Sequence, residues 1–402
     1  MAIFGLVIKM RCMALLNHYH YDCAIIHYAE IGIKGKNRGT FEHKLIQNIR
    51  TKLGNSVTSH AFNAGHITVM LDPLSDMDRI DSALKKIPGV AYFSLAYRSS
   101  LSVDAISDMV VSHVKPLVYD TFKIDTARHV KTFHLNSIEL NQTIGGAVID
   151  AYHKKVKLKD PDLTVKIELA KDSAYISFEN KKGVGGLPTD ATQKVVALIS
   201  GGIDSPVASY LMMKRGCEVI FVHVKNDTQM ACATEDKMMM LVKQLSQYQI
   251  KTRFHIIPFE LIQHHIVANV HSSYRMLIYR RVMMKLAAKI AKMYHALFLV
   301  VGDSFSQVAS QTFHNLHSTY GASDVHVLSP LIGFDKQEIV DISRQIGTFD
   351  ISSLPYGDCC TYFMPKHPAT KSTPQILDAE ELKLDLLPMI DDAIKRMTVI
   401  TL

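Results

Sequence analysis

No long stretch of this 402-residue chain is free of charged residues, which make up 21% of it, so a membrane-spanning helix is not expected. No Cys-x-x-Cys occurs among the six cysteines, which weakens both a zinc-ribbon and a thioredoxin-like reading. Their irregular spacing fits a reducing, cytoplasmic compartment better than a disulfide framework. The apolar start from Met1 to Leu16 is broken by Lys9 and Arg11, which speaks against a signal peptide, and residues 1–21 read as an N-terminal extension. No lysine follows the paired glycines Gly201 and Gly202, and the spacing is not Gly-x-Gly-x-x-Gly. Neither a Walker loop nor a dinucleotide fingerprint is therefore present there.

What is present points to several domains. The length predicts two or three, and 48% hydrophobic residues suffice to fill their cores. The balance of 45 Lys and Arg against 38 Asp and Glu, +7 overall, favours a polyanionic partner without identifying one.

Along the chain, CAIIHYAEI from Cys23 reads as a strand, followed by a basic loop and a helix with Phe41, Leu45, Ile49 and Leu53 four residues apart. Strands at Ser59–Phe62 and His66–Leu71 and a helix near Met77–Ile87 complete a small α+β unit over residues 22–95. A second α+β unit, residues 96–182, is expected from a helix after Val103, a strand at KTFHLNS, a helix through Ile144 to Tyr152, and strands at Thr164–Leu169 and Ala174–Phe178. Gly183 to Gly186 and Pro188 mark a linker. Residues 183–372 then alternate apolar strands with helices, which predicts a doubly wound parallel α/β sheet, and residues 373–402 read as a C-terminal tail.

The most informative segment is VVALISGGIDSPVASYLMMKRG. A buried strand, Val195–Ile199, runs into Ser200-Gly201-Gly202-Ile203-Asp204-Ser205, and a helix starts near Pro206 and stops at Gly216. Three residues of Ser-Gly-Gly alone make only a tight turn. Placed between strand and helix, the glycines let backbone amides approach an anion, while the Ser200 and Ser205 hydroxyls add donors. Asp204 suits either a Mg²⁺ contact, direct or through water, or a helix cap.

This loop resembles that of the PP-loop ATP pyrophosphatases, which cleave ATP between the α and β phosphates and activate an oxygen as its adenylate. Together with YAEIGIKGKNRGTFEHKLIQNIR, GVGGLP, QVASQT, IGTFDIS and PYGDCCTYFMPKHPATK, it is similar to the tRNA 4-thiouridine synthetase (tRNA uridine 4-sulfurtransferase) family, in order from about Cys23 to Lys371. The resemblance implies an N-terminal ferredoxin-like domain, a THUMP RNA-binding domain and a PP-loop domain. It implies ATP contacts at Leu198, Ile199, Ser200, Gly201, Gly202, Asp204, Ser205, His223, Val224, Arg280, Gly302 and Gln311, with Mg²⁺ accompanying ATP. His223 remains open between an adenine contact and a structural histidine. The chain departs from the family pattern at Thr189–Lys194, at Ser304–Val308 and at Asn226–Thr228.

For sulfur, the resemblance places the reactive cysteine at Cys360, with Cys359 beside it and Lys366, His367 and Lys371 near enough in sequence to lower a thiol pKa. A rhodanese-like domain, present in longer members, is not expected in the 31 residues after Lys371. Sulfur would then come from a cysteine desulfurase, another carrier or free sulfide. An iron-sulfur cluster, with Cys217 and Cys232 joining the vicinal pair, is a further option without the usual ligand spacing.

The substrate implied is uridine at tRNA position 8, with a second role in sulfur supply for thiamine biosynthesis and a homodimeric state suggested by relatives. The THUMP resemblance rests on Asp125, Arg128, Phe133, Asn141, Gly145, Gly146 and Pro161-Asp162, and candidate RNA contacts are Lys34, Lys36, Asn37, Arg38, Arg128, Lys154 and Lys155. For the lysines, a solvated surface is the plain alternative. Another PP-loop tRNA modifier, and a tRNA-binding protein with an inactive ATP site, are the rival functions.

Overall fold

The computed structural model describes residues 20–402, apart from 64, 130–132, 226–230 and 356–367, and apart from the side chains of 190–193 and 231–234. The chain forms two compact units, divided between Pro188 and Thr189.

The first unit is built on one nine-stranded sheet with strand order β2-β3-β1-β4-β8-β7-β5-β6 and a short β9 on β4. Its strands are β1 (Cys23–His27), β2 (Val57–Asn63), β3 (His66–Leu71), β4 (Tyr92–Ser99), β5 (Thr121–Arg128), β6 (Lys155–Val156), β7 (Leu163–Leu169), β8 (Ala174–Ser177) and β9 (Lys181–Lys182). Helices α1 (Arg38–Leu53), α2 (Met77–Leu84), α3 (Val103–Val114) and α4 (Ser137–Tyr152) share its main core. Leu45, Ile49 and Leu53 of α1 are buried there as their spacing requires, with Phe41 packed at the edge. Alternate strand residues face the other side, where Cys23, Ile25, Ala96, Ala170 and Tyr175 form a smaller apolar cluster.

Two expectations need correction, one on a strand and one on the linker. Among the described residues of KTFHLNS there is no strand. Asn136 instead accepts the amides of Ile138 and Glu139 while Glu139 accepts the Asn136 amide, a reciprocal cap that starts α4. The strand is β5, whose inward residues Phe122, Ile124 and Thr126 alternate with polar ones. The division at residue 95 falls inside β4, which pairs with both β1 and β8, so the two α+β segments share a continuous sheet. The glycine-rich stretch is integral to this unit. The Gly183 amide donates to Ala91 O, the Gly185 amide to Val90 O, and a Cβ on Gly183 would lie 2.3 Å from Val90 O.

The second unit is a six-stranded sheet in the order β14-β13-β10-β11-β12-β15, parallel except for its last strand. The strands are β10 (Asp190–Leu198), β11 (Cys217–Lys225), β12 (Arg253–Pro258), β13 (Phe298–Val300), β14 (His326–Leu328) and β15 (Thr398–Thr401). Helices α5 (Asp204–Lys214), α6 (Ala231–Ser246), α7 (Glu260–Asn269), α8 (Arg275–Tyr294), α9 (Phe313–Tyr320), α10 (Lys336–Gln345), α11 (Phe349–Ser353), α12 (Pro374–Glu381) and α13 (Leu386–Lys395) connect them. Strand order reverses at β10, whose neighbours are β11 on one side and β13 on the other, and ligands of such sheets bind at the carboxyl ends beside the reversal.

Residues 373–402 are not a tail but part of this unit. Leu377, Leu384, Leu386, Ile390 and Ala393 join its core, and β15 closes the β12 edge. Among the described residues no helix is long and apolar enough to cross a membrane.

Candidate active site

The Ser200–Ile203 loop leaves β10 at the strand reversal and enters α5, which begins at Asp204 rather than at Pro206. The loop is held from within. The Ser200 amide donates to Ser205 Oγ at 2.9 Å, Ser205 Oγ also lies 3.2 Å from Ser200 Oγ, and the Gly202 amide meets Ser200 Oγ at 3.4 Å. From outside, Ser352 Oγ donates to the Gly202 carbonyl at 3.2 Å. Among the described residues no side chain caps α5, so the first-turn amides, which have no partner inside a helix, are open to an anion.

Gly302, just past β13, lies against that first turn. A Cβ there would sit 2.6 Å from the Ser205 amide nitrogen, so only glycine lets the strand end approach the helix start so closely. His223, at the end of β11, meets the Ile199 carbonyl through Nδ1 at 3.1 Å, a bond that ties the two strand ends together.

Beside the loop lies a charged network absent from the sequence expectations. Asp303 is 3% exposed. It accepts from Arg280 Nη2 at 2.5 Å, from Tyr320 Oη at 2.8 Å and from Gln311 Nε2 at 3.1 Å. Burial, and then the adjacent Asp303 carboxylate, push the Tyr320 hydroxyl well above its ordinary pKa, so Tyr320 stays a proton donor at neutral pH. Gln311 Oε1 is buried and has no partner among the described residues, which leaves an acceptor for a ligand at this position. The signal in the sequence was an acidic residue directly after the strand-end glycine.

Asp204 is committed elsewhere: Lys336 Nζ, at the start of α10, donates to Asp204 Oδ1 at 2.6 Å. Both residues that could offer a carboxylate to Mg²⁺, Asp204 and Asp303, are thus already engaged by cations. Beside this loop the described side chains do not build a metal site of their own.

Cys359 and Cys360 lie outside the described residues, as do Lys366 and His367. The chain enters that stretch from Ser352 and Leu354, whose carbonyls both accept at 2.8 Å from Lys237 Nζ, an ammonium 2% exposed. It leaves through Ala369 and Thr370, whose carbonyls accept from Asn315 Nδ2 at 2.9 Å and Thr312 Oγ1 at 2.8 Å, next to Gln311. The entry end touches the loop through Ser352, and the exit end is held by residues close after Gln311.

Cys217 lies at the far end of its strand from His223. It opens β11, six residues before His223, and at ~3.3 Å per residue lies about 20 Å from the strand ends. Burial also raises its thiol pKa. The Cys232 side chain lies outside the described residues.

The RNA candidates sit in the first unit. Lys36 and Asn37 are exposed in a short helical turn before α1, and Lys34 Nζ lies 5.3 Å from the Phe41 ring. Arg38 is held by Glu42 at 2.8 Å and donates to Tyr28 Oη at 2.6 Å. Arg128 donates to the Phe133 carbonyl at 3.0 Å. Lys154 is 3.7 Å from Asp120, and Lys155 is exposed in β6. Lys36, Asn37 and Lys155 are the better presented of these; the two arginines hold the fold locally. Asp162, from the Pro161-Asp162 pair, accepts from the Thr121 amide at 2.9 Å and Thr121 Oγ1 at 2.8 Å, a structural use.

Comparison with known proteins covers nearly the whole chain. The model of the "Thiamine biosynthesis protein (ThiI)" family matches residues 190–386, that of the ThiI ferredoxin-like domain residues 23–94, and that of the THUMP domain residues 101–179. A probable tRNA sulfurtransferase of Bacillus pumilus is 37% identical over 94% of this chain and 96% of its own length. One of Thermoanaerobacter pseudethanolicus is 38% identical over 92% and 97%. Among solved structures, a 4-thiouridine synthetase in complex with RNA and bound ATP aligns with a TM-score of 0.86 at 31% identity, over 95% of this chain and 100% of that one. A Pyrococcus horikoshii structure shares the fold, with a TM-score of 0.64 at 22% identity over 81% of this chain.

Proposed function

Since this chain belongs to the tRNA sulfurtransferase family, we propose that it uses ATP to replace a uridine oxygen of tRNA with sulfur, yielding 4-thiouridine, with position 8 as the target. The observation that carries the reading is the uncapped start of α5, pressed against Gly302 at the strand reversal with Arg280, Gln311 and Lys336 around it. Such a cradle fits a polyphosphate, and the buried orphan oxygen of Gln311 fits a donor group on the nucleotide.

In this reading the amides of Gly202, Ile203 and Asp204 and the hydroxyls of Ser200 and Ser205 hold the phosphates in line for attack by the uridine O4 on the α-phosphorus. Pyrophosphate leaves, and the negative charge that builds on it is met by the helix start and by Lys336, which exchanges Asp204 for a phosphate oxygen. Arg280 stays fixed by Asp303 and gives a charge that needs no reorganisation. Mg²⁺ accompanies the phosphates as ATP's own counter-ion, and no step here is assigned to it.

The base, now carrying AMP on O4, is open to a sulfur nucleophile at C4, and AMP departs as the sulfur bond forms. Cys360, with Cys359 beside it, is the proposed carrier of a persulfide received from a desulfurase: its outer sulfur bonds to C4 as AMP leaves, and a second thiol then attacks Cys360 Sγ, releasing 4-thiouridine and leaving a disulfide, whereas free sulfide bonds to C4 directly. Sulfur delivery by a cysteine desulfurase, a homodimeric state, cytoplasmic location and a second role in thiamine biosynthesis rest on the family resemblance. The first unit supplies the tRNA surface, with Lys36, Asn37 and Lys155 as its presented contacts.

Incubating the pure chain with unmodified tRNA, MgATP and sulfide tests this. Nucleoside mass spectrometry should show 4-thiouridine, with one AMP and one pyrophosphate released per base modified. ATP consumption that yields a different modified nucleoside would refute the assignment.

A further inference from the structure

In the first unit, four residues from different strands meet on the sheet face away from the helices. His27 ends β1 and His66 opens β3, and the two are directly paired. Glu168 lies near the end of β7, and His129 follows β5, its amide bonded to the Leu169 carbonyl at 3.0 Å. These strands are not all neighbours in the sheet, so the side chains meet only because the sheet is curved around this face.

The contacts are close. His27 Nε2 is 3.3 Å from Glu168 Oε1, His129 Nε2 is 3.4 Å from Glu168 Oε2, and His66 Nδ1 is 4.0 Å from the same oxygen. The ligand atoms of His66, His129 and Glu168 all lie within 4.8 Å of one another. The ring of His66 is 4.9 Å from that of His129 and 5.3 Å from that of His27.

Two facts make this more than a hydrogen-bonded cluster. His66 is 1% exposed and neither ring nitrogen has a hydrogen-bond partner among the described residues, a costly arrangement for buried polar atoms. The donor set, two imidazoles and a carboxylate with a third imidazole on the free carboxylate oxygen, also suits a borderline transition ion rather than Mg²⁺ or Ca²⁺.

We propose that His66, His129 and Glu168 bind one divalent transition ion, Zn²⁺ foremost, with His27 orienting Glu168 from behind. A tetrahedral Zn²⁺ needs ligand atoms about 3.4 Å apart, so closing on the ion takes side-chain adjustments of roughly 1 Å. Water fills the fourth position on the side where His129 is partly exposed. The ion would join β3 to β5 and β7, fastening the ferredoxin-like strands to the THUMP strands.

The test uses the full chain without a polyhistidine tag, stripped with EDTA and titrated with Zn²⁺ against a chromogenic chelator. One equivalent should bind, and Co²⁺ loaded in its place should give the intense visible absorption of four-coordination. His129→Ala and Glu168→Gln should weaken binding at least 100-fold. His27→Gln, acting through the carboxylate, should cost about 10-fold. His129 is on the partly exposed rim, so its variant serves even if His66→Asn fails to fold. A Cys359→Ser/Cys360→Ser chain should bind as before. Loss of Zn²⁺ binding in that cysteine variant, undiminished affinity in His129→Ala and Glu168→Gln, or no saturable binding would each overturn the proposal.

Discussion

Replacing Gly302 by alanine tests whether the close approach of β13 to α5 builds the phosphate site. The new methyl would lie 2.6 Å from the Ser205 nitrogen, 2.8 Å from its Cα and 2.9 Å from the Asp204 carbonyl carbon, all backbone atoms. Ordinary contact begins at 3.4 Å, so the strand end and the helix start must separate by about 0.8 Å. Neither yields easily: β13 is paired on both sides, and Val207 and Ala208 of α5 are buried. Overpacking of this kind costs about 1–3 kcal/mol of stability, which a chain of this size tolerates. For catalysis, a misplacement of about 1 Å costs on the order of 100-fold. Tightly folded Gly302→Ala should therefore lose about that factor in kcat/KM for ATP, measured as tRNA-dependent pyrophosphate release, while tRNA affinity is unchanged. Gly333→Ala, where an added Cβ meets nothing within 4 Å, is the control. A Gly302→Ala enzyme with kcat/KM within threefold of the parent would refute the cradle.

Lys336→Met removes a cation whose ion pair with Asp204 is half-exposed, so stability should change by less than about 1 kcal/mol. Pyrophosphate release should nonetheless fall on the order of 100-fold, and an unchanged turnover would place Lys336 outside the chemistry. With a cysteine desulfurase and cysteine as the sulfur source, Cys360→Ser should retain tRNA-dependent pyrophosphate release but form no 4-thiouridine by mass spectrometry; continued thiolation would move the sulfur to Cys359 or elsewhere. His255, buried in β12 without a hydrogen-bond partner among the described residues, is lowered by burial, and secondarily by Arg253, to about 4. The unfolded ring titrates near ~6.5, so the unfolded chain takes up the proton first and stability is full above that pH. About 3 kcal/mol is lost as pH falls from ~6.5 to about 4. His255→Leu should flatten that part of the urea-midpoint profile of the second unit, and parallel profiles for the two proteins would contradict it.

The phosphate loop was legible in the sequence because all its determinants are local: a β-branched strand, two glycines and a helix start lie within a dozen residues. The KTFHLNS strand failed for a local reason too, since the alternation of Phe133 and Leu135 is shared by a loop whose Asn136 prefers to cap a helix. In β5 the outward Lys123 and Asp125 masked the true strand. Long-range features carried no such mark. Asp303 gathers Arg280 from an earlier helix, Gln311 from a later turn and Tyr320 from α9, and nothing in their spacing says that they meet. His27, His66, His129 and Glu168 span much of the first unit and converge only after its sheet has curved.

The consecutive arginines of α8 show how the C-terminal segment reaches the site. Successive helical positions are 100° apart, so Arg280 and Arg281 cannot serve the same neighbour. Arg280 reaches Asp303 at the crevice, whereas Arg281, 4% exposed, pairs with Glu381 at 2.9 Å and with Asp378, both on α12. Lys285, one turn further along, adds a second bond to Glu381 at 2.5 Å. Acidic side chains of the segment read as a C-terminal tail thus neutralise a buried guanidinium, and removing them would leave that charge stranded at a cost of several kcal/mol. Because these pairs fix the rotation of α8 about its axis, they also fix the direction in which Arg280 projects. The aim of the residue assigned to the phosphates is set from the opposite face of its own helix, by side chains that touch no part of the crevice.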